Sequence, residues 1–113
     1  MVASGGTATE VWDDRTFLVP PITARDAARA VGSLRVARLL AGYRGAPPGD
    51  LAGLEALVVG LGRLAVEVPE VAEVDLNPVV VGPDGCAVVD AKVRIGTPVG
   101  PDLASPRQLR RVR

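Results

Sequence analysis

Three oxygen-bearing side chains recur at alternate positions in Glu73-Val74-Asp75-Leu76-Asn77-Pro78. In an extended strand alternate side chains share a face, so Glu73, Asp75 and Asn77 would form one row and Ala72, Val74 and Leu76 the other. A further oxygen donor, Asp90, sits in the apolar run Val88-Val89-Asp90-Ala91, where charge is costly unless paired or bound to metal. A carboxylate and an amide oxygen on neighbouring strands make a partial magnesium site. Magnesium takes few protein oxygens and completes its octahedron with water and nucleotide phosphates, so such a site would bind metal well only with nucleotide present. On spacing alone the plainer reading carries more weight: Asp75 and Asn77 are polar strand-end groups, and Asp90 pairs with Lys92 or Arg94 at the surface.

Whether Asn77 and Asp90 meet depends on the turn Gly82-Pro83-Asp84-Gly85. A two-residue loop at Pro83 and Asp84 sets Asn77 directly opposite Asp90, about 5 Å apart at Cβ. A type I turn with a glycine bulge, the more natural habit of Pro-Asp-Gly, shifts the register by one and reverses the face of Asp90. Pro78 could host a compensating bulge, because it cannot donate to the ladder. Both registers stay open at this level.

The elements that must position these groups follow from patterning. Thr7 to Trp12 and Thr16 to Val19 read as a hairpin around Asp13 and Asp14, ended by Pro20 and Pro21. Thr23 and Asp26 form an approximate capping box. Ala27, Ala30, Val31, Leu34, Ala37 and Ala41 then recur at helical spacing as far as Gly42, which suits a C-terminal cap. Gly45, Pro47, Pro48 and Gly49 make a loop, and Asp50 is a suitable N-cap for a second helix with Leu51, Leu54, Leu57, Val58, Leu61, Leu64 and Ala65 on its apolar face. Gly60 and Gly62 weaken that helix by about 1 kcal/mol each relative to alanine. Pro69 ends it, Val71 to Val81 reads as one strand partly buried on both faces, and Cys86 to Ile95 as its return. The order strand, strand, helix, helix, strand, strand predicts an α+β fold, two helices packed on one face of a largely antiparallel sheet. Residues 1–96 are expected to form one domain and 97–113 a basic, solvated tail.

Composition excludes several functions. The 13 basic and 13 acidic residues cancel, which removes the field a nucleic-acid or membrane-surface binder relies on. Three aromatics, Trp12, Phe17 and Tyr43, are too few for a base-stacking platform. The chain has no histidine, which rules out Ser-His and Cys-His catalysis and a phosphohistidine within it. A lone cysteine, Cys86, permits no internal disulfide and reads as an inert thiol in a strand. No apolar run approaches the roughly 20 residues that span a bilayer, and a cytoplasmic location is expected.

Four segments resemble the ATP-grasp domain of NDP-forming acyl-CoA synthetases, the family of succinyl-CoA synthetase β chains and ADP-forming acetate-CoA ligases. Glu73 to Val80, EVDLNPVV, resembles the family's acid-hydrophobic-Asn-Pro strand, and Val88 to Val93, VVDAKV, its aspartate-bearing strand. Gly5-Gly6 through Glu10-Val11 and Asp13 is similar to its Gly-Gly strand, and Leu40 to Gly45 to its G-x-R-G loop. The resemblance covers about residues 5–95 and implies a C-terminal ATP-grasp subdomain using Mg2+ with ATP (ADP). It implies Asn77 and Asp90 as metal ligands, Asp75 as a weaker one, and Arg44 and Glu10 as candidate nucleotide, phosphate or substrate contacts. For Arg44 a purely connecting loop is an equal reading, and for Glu10 a solvent-facing strand acid is favoured. The half that carries the family's phosphate-contacting lysine and adenine pocket is missing, as are the CoA-binding module and the phosphorylated histidine. The expected function is therefore part of the ATP/Mg-binding domain of an acid-thiol ligase (acid + CoA + ATP to acyl-CoA + ADP + phosphate). It would be inactive alone and completed by a partner chain or domain. The alternative is a non-catalytic binding or assembly module that keeps the subdomain fold.

Overall fold

Thr23 is the N-cap of the first helix, α1 (Ala24–Ser33), with both halves of the capping box formed. Its hydroxyl accepts from the Asp26 N–H at 3.1 Å, and the Asp26 carboxylate accepts from the Thr23 N–H at 3.1 Å. In the computed structural model, which describes residues 1–6, 11 and 13–98, helix α1 does not continue to Gly42. It stops at Leu34 and restarts as a single turn, α2 (Ala37–Leu40). The break has an electrostatic origin. The buried carboxylate of Asp14 accepts the Arg35 N–H at 2.7 Å and the Val36 N–H at 2.9 Å, replacing the carbonyls that a continuous helix would offer.

Asp14 reaches that position because the preceding backbone bends inward. Asp13 lies in the left-handed region at φ 46°, which aspartate tolerates better than most residues. Two short strands flank this bend, β1 (Val2–Ala3) and β2 (Arg15–Thr16), antiparallel with Val2 opposite Thr16. Of the expected first hairpin, the second strand lies wholly among the described residues. Arg15–Thr16 joins Val2–Ala3, and Phe17 to Val19 leave the strand with Phe17 and Val19 well exposed. Of the expected partner segment, residues 7–10 and 12 lie outside the described residues.

The second long helix, α3 (Leu51–Glu67), starts as expected at Asp50, whose carboxylate accepts the Gly53 N–H at 2.8 Å. It packs against α1 through Ala27, Val31, Leu54 and Val58, the buried centre of the molecule. Burying a valine or leucine side chain stabilises by about 1.5–3 kcal/mol relative to exposure. Ile22, Leu51, Val79, Val81 and Cys86 close over that centre.

The C-terminal third is a long antiparallel ribbon in two stretches. Strand β3 (Val71–Leu76) pairs with β6 (Ala91–Ile95), and β4 (Val79–Gly82) pairs with β5 (Gly85–Val88). The single strand expected over Val71 to Val81 is therefore interrupted at Asn77 and Pro78, where proline has no N–H to give the ladder. The inward side also changes there. Val74 and Leu76 are the half-buried residues before the break, and Val79 and Val81 after it. The Asn77–Pro78 peptide is cis, as is Pro20–Pro21. Burial on both faces is not what the ribbon has: Val80, Val89, Val93 and Ile95 are all more than half exposed. The architecture is α+β, helices over antiparallel strands, and Gly96 closes the described ladder by donating to the Glu70 carbonyl. The expected tail from 97 onward lies, after residue 98, outside the described residues.

The two mid-helix glycines give opposite predictions. A methyl group on Gly60 would meet nothing, whereas on Gly62 it would come within 2.9 Å of Ile22 Cβ. Gly60→Ala should raise stability by about 0.5–1 kcal/mol. Gly62→Ala should lower it by about 1 kcal/mol, because the overpacking outweighs the helix-propensity gain. Urea denaturation of the two variants checks the contrast. At the first helix, the Thr23 side-chain and backbone hydrogen bonds hold the Asp26 carboxyl below its usual range. A depressed folded pKa adds stability that is present above the unfolded value and lost as pH falls through the folded one. Thr23→Val should move the Asp26 titration upward and leave the variant less stable than the parent at neutral pH, with the gap closing as pH falls through the Asp26 titration, read by carboxyl-carbon NMR and by melting against pH.

Candidate functional site

The register of the ribbon is set by its turn. Gly82 faces Gly85, and Pro83 and Asp84 form a two-residue loop, so the bulged alternative is not adopted. Gly85, at φ 140°, supplies the unusual backbone angle that the tight closure requires. The alignment carries outward through Val79 opposite Val88 and resumes as Leu76 opposite Ala91 and Asp75 opposite Lys92. Between these stretches Asn77 stands across from Asp90, and its N–H donates to the Asp90 carbonyl at 3.0 Å. The Val89 N–H donates to the Pro78 carbonyl at 3.0 Å, so each of the two middle pairs keeps one hydrogen bond.

Cross-strand neighbours share a face, so one side of β3 and β6 carries a polar ladder, Glu73 with Arg94 and Asp75 with Lys92, and just past its end Asn77 stands across from Asp90 at the strand break. The Arg94 Nε donates to Glu73 Oε2 at 3.0 Å, an exposed ion pair worth little on its own. Glu73, Asp75, Lys92 and Arg94 line a shallow open recess of about 200 Å³. Asp75, Asn77 and Asp90 are all exposed. Asp90 thus carries none of the burial cost expected from its apolar neighbours, since Val89 beside it is also open to solvent.

Among the described residues no three His, Cys, Asp or Glu side chains are grouped to hold a metal. The donors at the break are one carboxylate and one amide oxygen, both hard and both facing open space. That set is too small for a protein-only cage, and it suits a cation that keeps water and phosphate in its coordination sphere. Asp75 is next along the ladder, opposite Lys92.

Arg44 stands at the tip of a tight turn between α2 and α3. Gly42 and Gly45 have φ of 93° and 83°, and Arg44 itself adopts φ 51°. A Cβ on Gly42 would press within 2.8 Å of the Ala46 carbonyl, so glycine is required there on two grounds. The guanidinium lies over the Tyr43 ring, 5.2 Å from its centre, and both side chains are exposed. The far end of the loop is tied to the ribbon: the Asp50 N–H donates to the Gly82 carbonyl at 2.8 Å and the Cys86 thiol to the Asp50 carbonyl at 3.3 Å. Burial pushes the Cys86 thiol above its ordinary pKa, in keeping with an unreactive side chain. Glu10 lies outside the described residues. Asp14 went unidentified from sequence because its partners are 21 and 22 residues away and no local motif announces them.

A family model described as an ATP-grasp domain matches residues 1–95. The chain is 39% identical over 99 residues to acetate-CoA ligase [ADP-forming] I of Archaeoglobus fulgidus, covering 88% of this chain and 14% of that protein. It is 37% identical over 93 residues to the subunit beta of acetate-CoA ligase [ADP-forming] I of Pyrococcus furiosus, covering 82% of this chain and 40% of that one. Among solved structures it resembles the dinucleotide forming acetyl-coenzyme A synthetase 1 of Ca. Korarchaeum cryptofilum in complex with coenzyme A and Mg-AMPPCP. The TM-score is 0.76 at 37% identity, over 81% of this chain and 43% of that one. The chain therefore spans from about one seventh to two fifths of the relatives it matches.

The ribbon register makes a direct prediction. Solution NMR should give cross-strand contacts between Asn77 and Asp90 and slow exchange of the Asn77 and Val89 amides. A one-residue shift would instead pair Asn77 with Val89 or Ala91.

Proposed function

Because this chain belongs to the ATP-grasp family, we propose that it supplies the magnesium- and phosphate-facing part of the nucleotide site of an NDP-forming acyl-CoA ligase. The observation that carries this reading is the position of Asn77 across from Asp90 on an exposed face, at the point where both strands break. In that reading Asp90 and Asn77 hold Mg2+ against the nucleotide phosphates, with Asp75 as a lesser contributor. Bound there, the metal supplies charge neutralisation at the β- and γ-phosphate oxygens during phosphoryl transfer. Arg44, on a turn that Gly42 and Gly45 make possible and beside the Tyr43 ring, contributes a cation to phosphate or substrate. Glu10 is a further contact within the same reading.

The chain is incomplete by this account. It matches 14% or 40% of its relatives' length, and its ribbon leaves Val80, Val89, Val93 and Ile95 open to solvent. Two-stranded ribbons are marginal alone and bury their apolar face against more structure. A partner chain or domain would supply the rest of the ATP-grasp and CoA-binding modules, and the completed protein would convert acid, CoA and ATP to acyl-CoA, ADP and phosphate. No helix among the described residues is long and apolar enough to cross a membrane.

In the completed ligase, Asp90→Ala or Asn77→Ala should cut acyl-CoA formation on the order of 10²-fold. The fold should change by less than about 0.5 kcal/mol, because both side chains are exposed. Undiminished activity would contradict the proposal. A melting temperature insensitive to Mg-ATP, with and without a partner chain, would favour a non-catalytic assembly module, since a ligand stabilises only what it binds.

A further inference from the structure

Asp14 is the one buried charged side chain among the described residues, 6% exposed, and the proposed nucleotide site makes no direct use of it. Its two carboxylate oxygens are taken by consecutive backbone amides, Arg35 at 2.7 Å and Val36 at 2.9 Å. Its own carbonyl accepts from the Ser4 N–H at 2.9 Å. The three contacts join the N-terminal segment to the start of α2. Two charge-assisted bonds to consecutive backbone amides offset the desolvation of this carboxylate and hold the segment that donates them, with a consequence elsewhere in the molecule.

That consequence lies at the other end of α2. From Val36 the backbone bonds run as far as Gly42, with Leu39 and Leu40 N–H to the Val36 carbonyl, Ala41 to Ala37 and Gly42 to Leu39, and the Arg44 turn that follows is closed by Ala46 to Tyr43. The Gly49 N–H returns to the Leu40 carbonyl at 2.7 Å and closes the loop on the same turn of helix. With only four residues, α2 has no stability of its own. Its direction, and that of the loop it carries, is fixed by the carboxylate at one end and the Gly49 contact at the other.

We infer that Asp14 is a positioning residue for Arg44. It breaks the long helix at Leu34 and aims the short turn that presents the guanidinium. The functional arm of this inference rests on the proposed role of Arg44 at phosphate or substrate. The structural arm does not.

The test uses the full chain, isotope-labelled, in three variants. Asp14→Ala removes both acceptors, Asp14→Asn keeps one, and Val58→Ala truncates the core at a distance as a stability control. Asp14→Ala should accelerate exchange of the Arg35 and Val36 amides at least tenfold. It should also erase the left-handed HN–Hα coupling of Arg44 and the distinct Gly42 and Gly45 shifts, while the ribbon pairs persist. Asp14→Asn should fall between, and Val58→Ala should leave the loop signals in place. A folded Asp14→Ala with an unaltered Arg44 turn would overturn the inference. Should that variant fail to fold, an Asp14→Asn chain with native loop signals would overturn it equally. In the completed ligase, Arg44→Ala should raise the KM for ATP about tenfold and Asp14→Asn by a smaller factor, with the double variant no higher than Arg44→Ala alone. A displaced loop with unchanged KM would count against the Arg44 role and leave the positioning intact.

Discussion

The tight closure of one hairpin governs the C-terminal third of the molecule. With Pro83 and Asp84 as its loop, the turn fixes Gly82 against Gly85 and thereby every pair out to Glu73 against Arg94. A slip of one residue would turn each side chain of one strand to the opposite face. It would take Val81 or Cys86 out of the core and move Asp90 away from Asn77 together. Packing and site geometry thus depend on a single alignment, and the apolar contacts of Val79, Val81 and Cys86 with the helices enforce the register that the polar pair uses.

The helical layer answers to a second constraint, the Asp14 carboxylate. One continuous helix from Ala24 to Ala41 would carry the Gly42–Gly45 loop onward along the axis of α1. Two hydrogen bonds to Arg35 and Val36 divert the chain instead, and the Asp50–Gly82 bond anchors the far side of that loop on the ribbon. Helices, loop and ribbon are therefore linked through backbone contacts, while the side chains proposed to meet nucleotide stay exposed.

Local patterning made much of this legible. Thr23 with Asp26, Asp50 before Leu51 and Gly42 each encode their structure within a few residues and form as the sequence implies, whereas the Gly82–Gly85 turn takes the two-residue loop instead of the bulge that Pro-Asp-Gly favours. What was not legible depends on distant partners. The helix break at Leu34 needs Asp14, and the pairing of Arg15–Thr16 with Val2–Ala3 needs the bend at Asp13. At the candidate site the alternation of Glu73, Asp75 and Asn77 was readable, but whether Asp90 faced them turned on one residue of register. Its exposure could not be inferred from apolar neighbours that are themselves uncovered.

The central claim, that Asn77 and Asp90 jointly receive a nucleotide-bound divalent cation, is tested most directly by paramagnetic relaxation. Mn2+ replaces Mg2+ at a few per cent of the protein concentration, in the presence of excess ATP, on the labelled full chain. The account predicts selective broadening of the Asn77 side-chain amide and the Asp90 backbone resonance, weaker broadening at Asp75, and none without ATP. Broadening spread evenly over exposed acids such as Glu67, Glu70 and Asp84, or centred away from the strand break, would contradict it.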